Sequence, residues 1–281
     1  MDRGEVAGRP GDAGAGVNVK ARIDSAGIEY EDAGSGRALL LFHAFPLCRS
    51  MWDPQAEALA GSCRVVRLDA RGFGGSAPSE GALTMDRIAD DGALLLDHLG
   101  IDTAVVGGCS MGGYAALAFA RRHRRRLAGL YLQDTKAPPD TEEARANRGR
   151  LAARVLEEGP AAAVEALLPK LVGETTHRER KDLVARLREG ILETPGEAIA
   201  AALAGLGARE DSRPTLASIR VPTLVLVGEE DLLTPPVEAA ALAAAIPGAR
   251  LVRVPRAGHL ANLEEPDAVN AALAAFLGAL G

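Results

Sequence analysis

Ser110 lies in the run Gly108-Cys109-Ser110-Met111-Gly112, where an apolar strand ends in Gly-x-Ser-x-Gly and gives way to an Ala-rich helix. Glycines two positions to either side let strand and helix approach without Cβ clashes, and the tight, strained bend leaves the serine hydroxyl exposed. The helix that begins at Met111 aims its positive dipole end and its unpaired N–H groups at the same point, which suits a developing oxyanion. The chemistry such a turn serves is nucleophilic attack by serine, with negative charge accumulating beside it.

A serine hydroxyl needs a base, and the sequence holds five histidines. His98 and His123 fall at helix ends and His177 in a helical stretch, positions of surface or capping residues. His259, in Arg256-Ala257-Gly258-His259-Leu260, follows the last expected strand on a loop, where a base reaches a serine at the end of another strand. The acid that fixes its tautomer is assigned to Asp231, in Gly228-Glu229-Glu230-Asp231, just past a strand; Asp134, which also ends a strand, is the rival. Glu229 and Glu230 stand nearer the strand and point sideways or into solvent. Two backbone donors complete the set: the N–H of Met111, directly after the serine, and that of Phe45 in the loop His43-Ala44-Phe45-Pro46-Leu47. Pro46 donates nothing and restricts Phe45 to an extended conformation, while His43 orders the loop by hydrogen bonding. Cys109 is expected to be buried and inert. The glycine-rich run 69–76 departs from the Gly-x-Gly-x-x-Gly order and reads as a tight loop with an Asp–Arg pair, not a dinucleotide site.

These residues require elements that bring strand ends together. Short β-branched runs alternate with Ala/Leu-periodic runs, the pattern of an α/β fold: a mostly parallel twisted sheet flanked by helices. Strands are expected at 17–23 and 28–31 (an opening hairpin), 38–43, 64–69, 103–108, 127–133, 222–228 and 249–254, with helices at 52–60, 85–99, 111–122, 237–246 and 266–277. Between 138 and 213 the β-type runs vanish, and 141–158, 161–172, 179–192 and 197–206 read as amphipathic helices. An insertion after the sixth core strand falls at the ligand-binding edge of the sheet, so it is expected to be a cap. The core is then 17–137 with 214–281, and 1–16, polar and Gly-rich, is a disordered tail.

Composition narrows the partners. A net charge of −6 from mixed signs leaves no electrostatic footprint for nucleic acid or an anionic membrane. Three cysteines match no metal or disulfide spacing, and no apolar run has signal-peptide or membrane-spanning form, which reads as a cytoplasmic protein without membrane attachment. Neither metal nor organic cofactor is called for. The Ala-rich cap offers a face for a homodimer.

With these residues in place the chain resembles the α/β-hydrolase superfamily from about residue 23 to 277. The likeness runs through His43-Ala44-Phe45-Pro46, the loop 69–76, the elbow at Ser110, Gly228-Glu229-Glu230-Asp231 with Thr234-Pro235, and the segment 258–266 around His259. The His259 segment and Gln133-Asp134-Thr135 leading into the cap look most like 3-oxoadipate enol-lactonase-like and carboxylesterase members. The resemblance implies a hydrolase of carboxylic esters or lactones of small molecules, working through an acyl-enzyme. Ala44 departs from the glycine usual there. Pro46 also occurs in cofactor-free haloperoxidase and perhydrolase members, and carbon–carbon bond hydrolases share the Ser-Asp-His set, so both remain alternatives; a non-catalytic small-molecule receptor on the same scaffold is the alternative of another class. Arg145, Arg148, Arg150, Arg154, Arg186 and Arg188 form a solvated cap face, and one turned inward would pair with a substrate carboxylate.

Overall fold

Continuously apolar runs of five or six residues suit strands buried on both faces, which a parallel sheet covered by helices provides. In a computed structural model, which describes residues 27–280, three such runs lie within a seven-stranded sheet. The strands are β1 (Tyr30–Ala33), β2 (Ala38–Phe42), β3 (Arg64–Leu68), β4 (Ala104–Cys109), β5 (Leu127–Gln133), β6 (Thr223–Gly228) and β7 (Arg250–Val254). Their order is β1-β3-β2-β4-β5-β6-β7, with β1 antiparallel to β3 and every other pairing parallel. Strands β2, β4 and β6 are buried throughout.

Register decides where the chemistry gathers. Phe42 pairs with Leu68 and Gly108, Cys109 with Gln133, Gln133 with Leu226, and Gly228 with Val254. The carboxyl ends of six strands therefore finish at one edge, and the residues that follow them share it: His43, Asp69, Ser110, Asp134, Asp231 and His259. The 17–23 half of the expected hairpin and the 1–16 tail lie outside the described residues. Its second strand begins two residues later than expected, because the Glu29 N–H donates to the Ser76 hydroxyl (2.8 Å) before the ladder starts.

Two groups of helices flank the sheet. One holds α2 (Met85–His98), α3 (Met111–Arg122), α9 (Arg213–Leu216) and α10 (Pro236–Ala245); the other holds α1 (Asp53–Leu59), α11 (Ala261–Glu264) and α12 (Pro266–Gly278). The loop after β3 is fastened to this frame by two Asp–Arg pairs, neither of them internal to the loop. Asp69 pairs with Arg49, and Arg71 forms a buried fork with Asp91 of α2, its Nε and Nη2 each 2.8 Å from a carboxylate oxygen. Among the described residues no helix is long and apolar enough to cross a membrane.

Between β5 and β6 stand α4 (Glu142–Glu158), α5 (Ala161–Leu171), α6 (Glu174–Glu179), α7 (Lys181–Glu193) and α8 (Gly196–Gly207). The sequence predicts four helices here. The extra one, α6, spans six residues, too few to show a helical period, and the chain breaks at Arg180 before α7 begins. At the base of this segment Asp140, buried, accepts from Arg209 (2.6 Å) and Arg148 (2.5 Å). Burial pushes the Asp140 carboxyl up, but the two guanidinium groups outweigh it and hold the group below the usual carboxylate range. Asp140→Asn, which strands the buried Arg209 charge, is expected to cost about 3–5 kcal/mol in urea unfolding at pH 7. A depressed folded pKa stabilises above the unfolded value and is lost as pH falls through the folded one. The gap between variant and parent should therefore close below about pH 4.

Candidate active site

Gly108, next to the last residue of strand β4, is glycine because it faces other backbone. A Cβ on Gly108 would lie 2.3 Å from the carbonyl carbon of Gly112, and one on Gly112 would lie 2.1 Å from the Phe42 carbonyl oxygen. Between these two contacts Ser110 takes φ 53°, a left-handed conformation costly for any residue with a side chain. The turn is held from three directions. Ser110 N–H donates to the Gln133 carbonyl, and the Ser110 carbonyl accepts from Tyr114 N–H and the Thr135 hydroxyl, each at 3.0 Å. Its neighbours Cys109 and Met111 are buried, while Ser110 itself keeps some exposure. Burial pushes the Cys109 thiol well up, with the carboxylates of Asp134, Asp231 and Glu264 adding to the shift, so it stays protonated.

Asp231 and His259 meet on neighbouring loops. His259 Nδ1 lies 2.9 Å from Asp231 Oδ2, with both side chains almost wholly buried. The other Asp231 oxygen accepts the N–H groups of Leu233 (2.8 Å) and Thr234 (3.0 Å), and the Thr234 hydroxyl donates to Oδ2 at 2.6 Å. Burial raises the carboxyl, but His259 and these donors more than offset it and leave Asp231 below its usual range. A carboxylate at Nδ1 keeps the ring proton there and leaves Nε2 as the free basic nitrogen. The His259 carbonyl accepts from Cys109 Sγ at 3.5 Å, which sets the histidine beside the residue that precedes Ser110. Asp231 and His259 are thus joined directly, and Ser110 adjoins them through Cys109; among the described residues no hydrogen bond links the serine hydroxyl to the ring.

The third part is the loop after β2. His43 accepts the Ala70 N–H at Nε2 (2.9 Å), so Nδ1 carries the proton and donates to the Ala44 carbonyl (3.0 Å). Burial lowers the His43 pKa and keeps the ring neutral, as this pattern requires. The imidazole also packs at 5.4 Å on Phe73, which meets Phe45 at 6.3 Å. His43 therefore ties the Phe45 loop to the loop after β3. The Ala44 N–H points to Met51 Sδ at 3.0 Å, and the Phe45–Pro46 peptide is cis. Among the described residues the Phe45 N–H has no acceptor. That of Met111, in the first turn of α3, has no partner within the helix.

A family profile for the alpha/beta hydrolase fold matches residues 37–266. The chain belongs to that family. An esterase from Thermogutta terrifontis, solved with malate bound, is 44% identical, with 94% of this chain and 98% of that one aligned at a TM-score of 0.89. The enol-lactonase from Burkholderia xenovorans is 32% identical over 92% and 99% of the two chains, with a TM-score of 0.86. The 3-oxoadipate enol-lactonase 2 of Acinetobacter baylyi is 28% identical over 85% of this chain and 88% of its own. The protein is an enzyme, an α/β-fold hydrolase.

The rival acid of the hydrolase is occupied elsewhere. Asp134, fully buried at φ 43°, accepts from Gly228 N–H (2.8 Å), Gln133 Nε2 (3.0 Å) and Ala261 N–H (3.4 Å). Burial raises its carboxyl well above the usual range, and the Asp231 charge raises it further. Gln133 extends this polar layer to Asn262 (3.0 Å), whose amide donates to the Met51 carbonyl (2.7 Å), so the layer runs under the loop that carries His259. Of the remaining histidines, His123 contacts Asp90 and His177 the Pro169 carbonyl, away from the elbow. Glu229 is exposed, whereas Glu230 turns from solvent to accept from Thr175.

The arginines anticipated as a solvated face of the hydrolase largely are one. Arg154 pairs with Glu158 and Glu165, and Arg145, Arg150 and Arg188 are exposed. Arg186, also exposed and 3.5 Å from Asp182, lines a cavity of about 560 Å³ together with Leu47, Thr194 and Leu263. Neither Ser110 nor His259 lines that cavity. Arg209 does turn inward: it stacks 4.3 Å from the Tyr114 ring centre and shares the single Asp140 carboxylate with Arg148. No amphipathic period marks it, since it follows the end of α8. Thr234 and Thr135 steady Asp231 and the elbow without any role assigned to them from sequence; a threonine three residues after an aspartate is a local signal for the former.

Proposed function

We propose that this hydrolase cleaves small carboxylic esters or lactones through an acyl-enzyme on Ser110. The observation that carries the reading is the buried 2.9 Å contact between His259 and Asp231 beside a serine held at positive φ. Ser110 Oγ attacks the acyl carbon while its proton passes to His259 Nε2, and the N–H groups of Phe45 and Met111 receive the negative oxygen. Collapse breaks the bond to the alcohol oxygen, which takes the proton from His259 and leaves the acyl group on Ser110. Water then gives a proton to His259 and its hydroxyl to the acyl carbon, and Ser110 departs with the proton returned. In a lactone the alcohol stays attached to the acyl chain, so a single hydroxy acid is released. The helices of 138–213 act as a cap over this edge of the sheet.

Support for ester or lactone bonds comes from the esterase at 44% identity and the enol-lactonases at 32% and 28%. Incubation with a fluorophosphonate is expected to add one phosphonyl group to the peptide that carries Ser110, read by mass spectrometry, with parallel loss of p-nitrophenyl acetate hydrolysis. Labelling at another residue, or none in protein that turns the ester over, overturns the assignment.

A further inference from the structure

Glu264 is buried, and its two oxygens serve two different parts of the fold. Oε1 accepts the N–H groups of Gly258 (2.9 Å) and Leu260 (3.0 Å), the residues on either side of His259. Oε2 accepts the Gly173 N–H and the Thr176 hydroxyl of the segment that opens α6, both at 2.7 Å. The side chain therefore bridges the histidine loop and the helical segment with four donors and, among the described residues, no ion pair. Glu230, the neighbour of Asp231, grips the same segment from the other loop: Oε2 accepts Thr175 N–H at 2.8 Å and Oε1 the Thr175 hydroxyl at 2.6 Å. The backbones are pressed together as well. A Cβ on Gly258 would lie 2.2 Å from Gly173 N, and one on Gly173 would lie 2.9 Å from Gly258 N.

Directly on the N-terminal side of His259 the loop carries only Ala257 and Gly258, and although Leu260 on the other side is buried, no large side chain just before the histidine helps to fix the height of its backbone over the serine. The backbone on both sides of His259 is instead hung on one carboxylate, whose other oxygen is set by docking of α6. We infer that Glu264 is a positioning residue through which the docked α6 segment sets the place of the His259 ring, so that the cap completes the acid–base pair as well as covering it. This rests on the reading of His259 as the base for Ser110. It assigns the six-residue helix α6 a role in turnover rate that is separate from any contact with substrate.

The pair is chosen to separate fold from function. Glu264→Gln leaves one acceptor oxygen and turns an NH2 group toward donors, whereas Thr176→Val removes only a hydroxyl on the cap side. Displacing a reacting group by about 1 Å costs on the order of 10²-fold, so Glu264→Gln is expected to lower kcat for p-nitrophenyl acetate about 10²-fold with KM within about threefold. Thr176→Val should lower kcat about tenfold in the same way, and decides alone if Glu264→Gln does not fold. In both, the downfield Nδ1–H proton resonance of His259 should shift or broaden, a change that mere loss of Tm leaves untouched. Unchanged kcat and an unchanged resonance in folded variants overturn the proposal. If Ser110→Ala also retains full activity, it is the reading of the site that has failed; if that variant is inactive, the failure belongs to Glu264 alone.

Discussion

Ser110→Ala is expected to lower kcat for a short p-nitrophenyl ester by about 10⁶-fold, close to what removal of a nucleophile costs in an enzyme of this chemistry. The methyl group fits the same φ 53° turn, whose hydrogen bonds all come from backbone and from Thr135, so Tm and far-UV dichroism should not change. Substrate affinity should also persist, because the hydroxyl contributes to attack and not to holding the acyl group. What remains, about 10³–10⁴-fold over water, would come from the Phe45 and Met111 donors and from binding. Adding His259→Ala to Ser110→Ala should cost almost nothing more, since the two side chains act as one unit. Additive losses in the double variant, or a single variant retaining more than about 1% of activity, would remove Ser110 from the role of nucleophile.

The parts of this site that were legible in the sequence are those whose local rules are strict. Gly108 and Gly112 mark a place where backbone meets backbone at distances that admit no Cβ, and that constraint is written as glycine whatever surrounds it. Strand ends were found to within a residue or two because the apolar runs stop where the sheet edge meets loops. What escaped the sequence is pairing across long separations. Glu264 reads as one more acidic residue before Pro266, yet it is buried by donors 88 and 91 residues away. Asp69 and Arg71 sit in one loop and look like partners, but Arg49 and Asp91, each 20 residues away, take them separately. Helix α6 has too few residues to show a period and is held by Glu230 and Glu264, not by an apolar stripe. In each case the deciding interaction is polar, at least partly buried and non-local, and periodicity carries no trace of it.

Asp231→Asn is expected to lower kcat about 10⁴-fold while leaving KM within a few-fold. The amide oxygen can still accept from Leu233 and Thr234 N–H, so the loop should keep its shape. Its NH2 group then replaces Oδ2, which now accepts from the Thr234 hydroxyl and from His259 Nδ1. Facing a donor, the imidazole keeps its lone pair at Nδ1 and its proton at Nε2, and it can no longer take the proton of Ser110. Asp134 does not compensate, because its oxygens are taken by Gly228, Gln133 and Ala261. Removing the Asp231 charge should instead bring the Asp134 carboxyl part of the way down, as one of the two causes holding it up is gone. Stability gives an independent check. The Asp231 pKa is depressed in the folded state, so its contribution is present above about pH 4 and fades as pH falls through the folded value. The difference in urea midpoint between Asp231→Asn and the parent should shrink accordingly from pH 7 to pH 3. A loss of kcat no larger than about tenfold, reversed to 10⁴-fold when Asp134→Asn is added, would transfer the role of acid to Asp134.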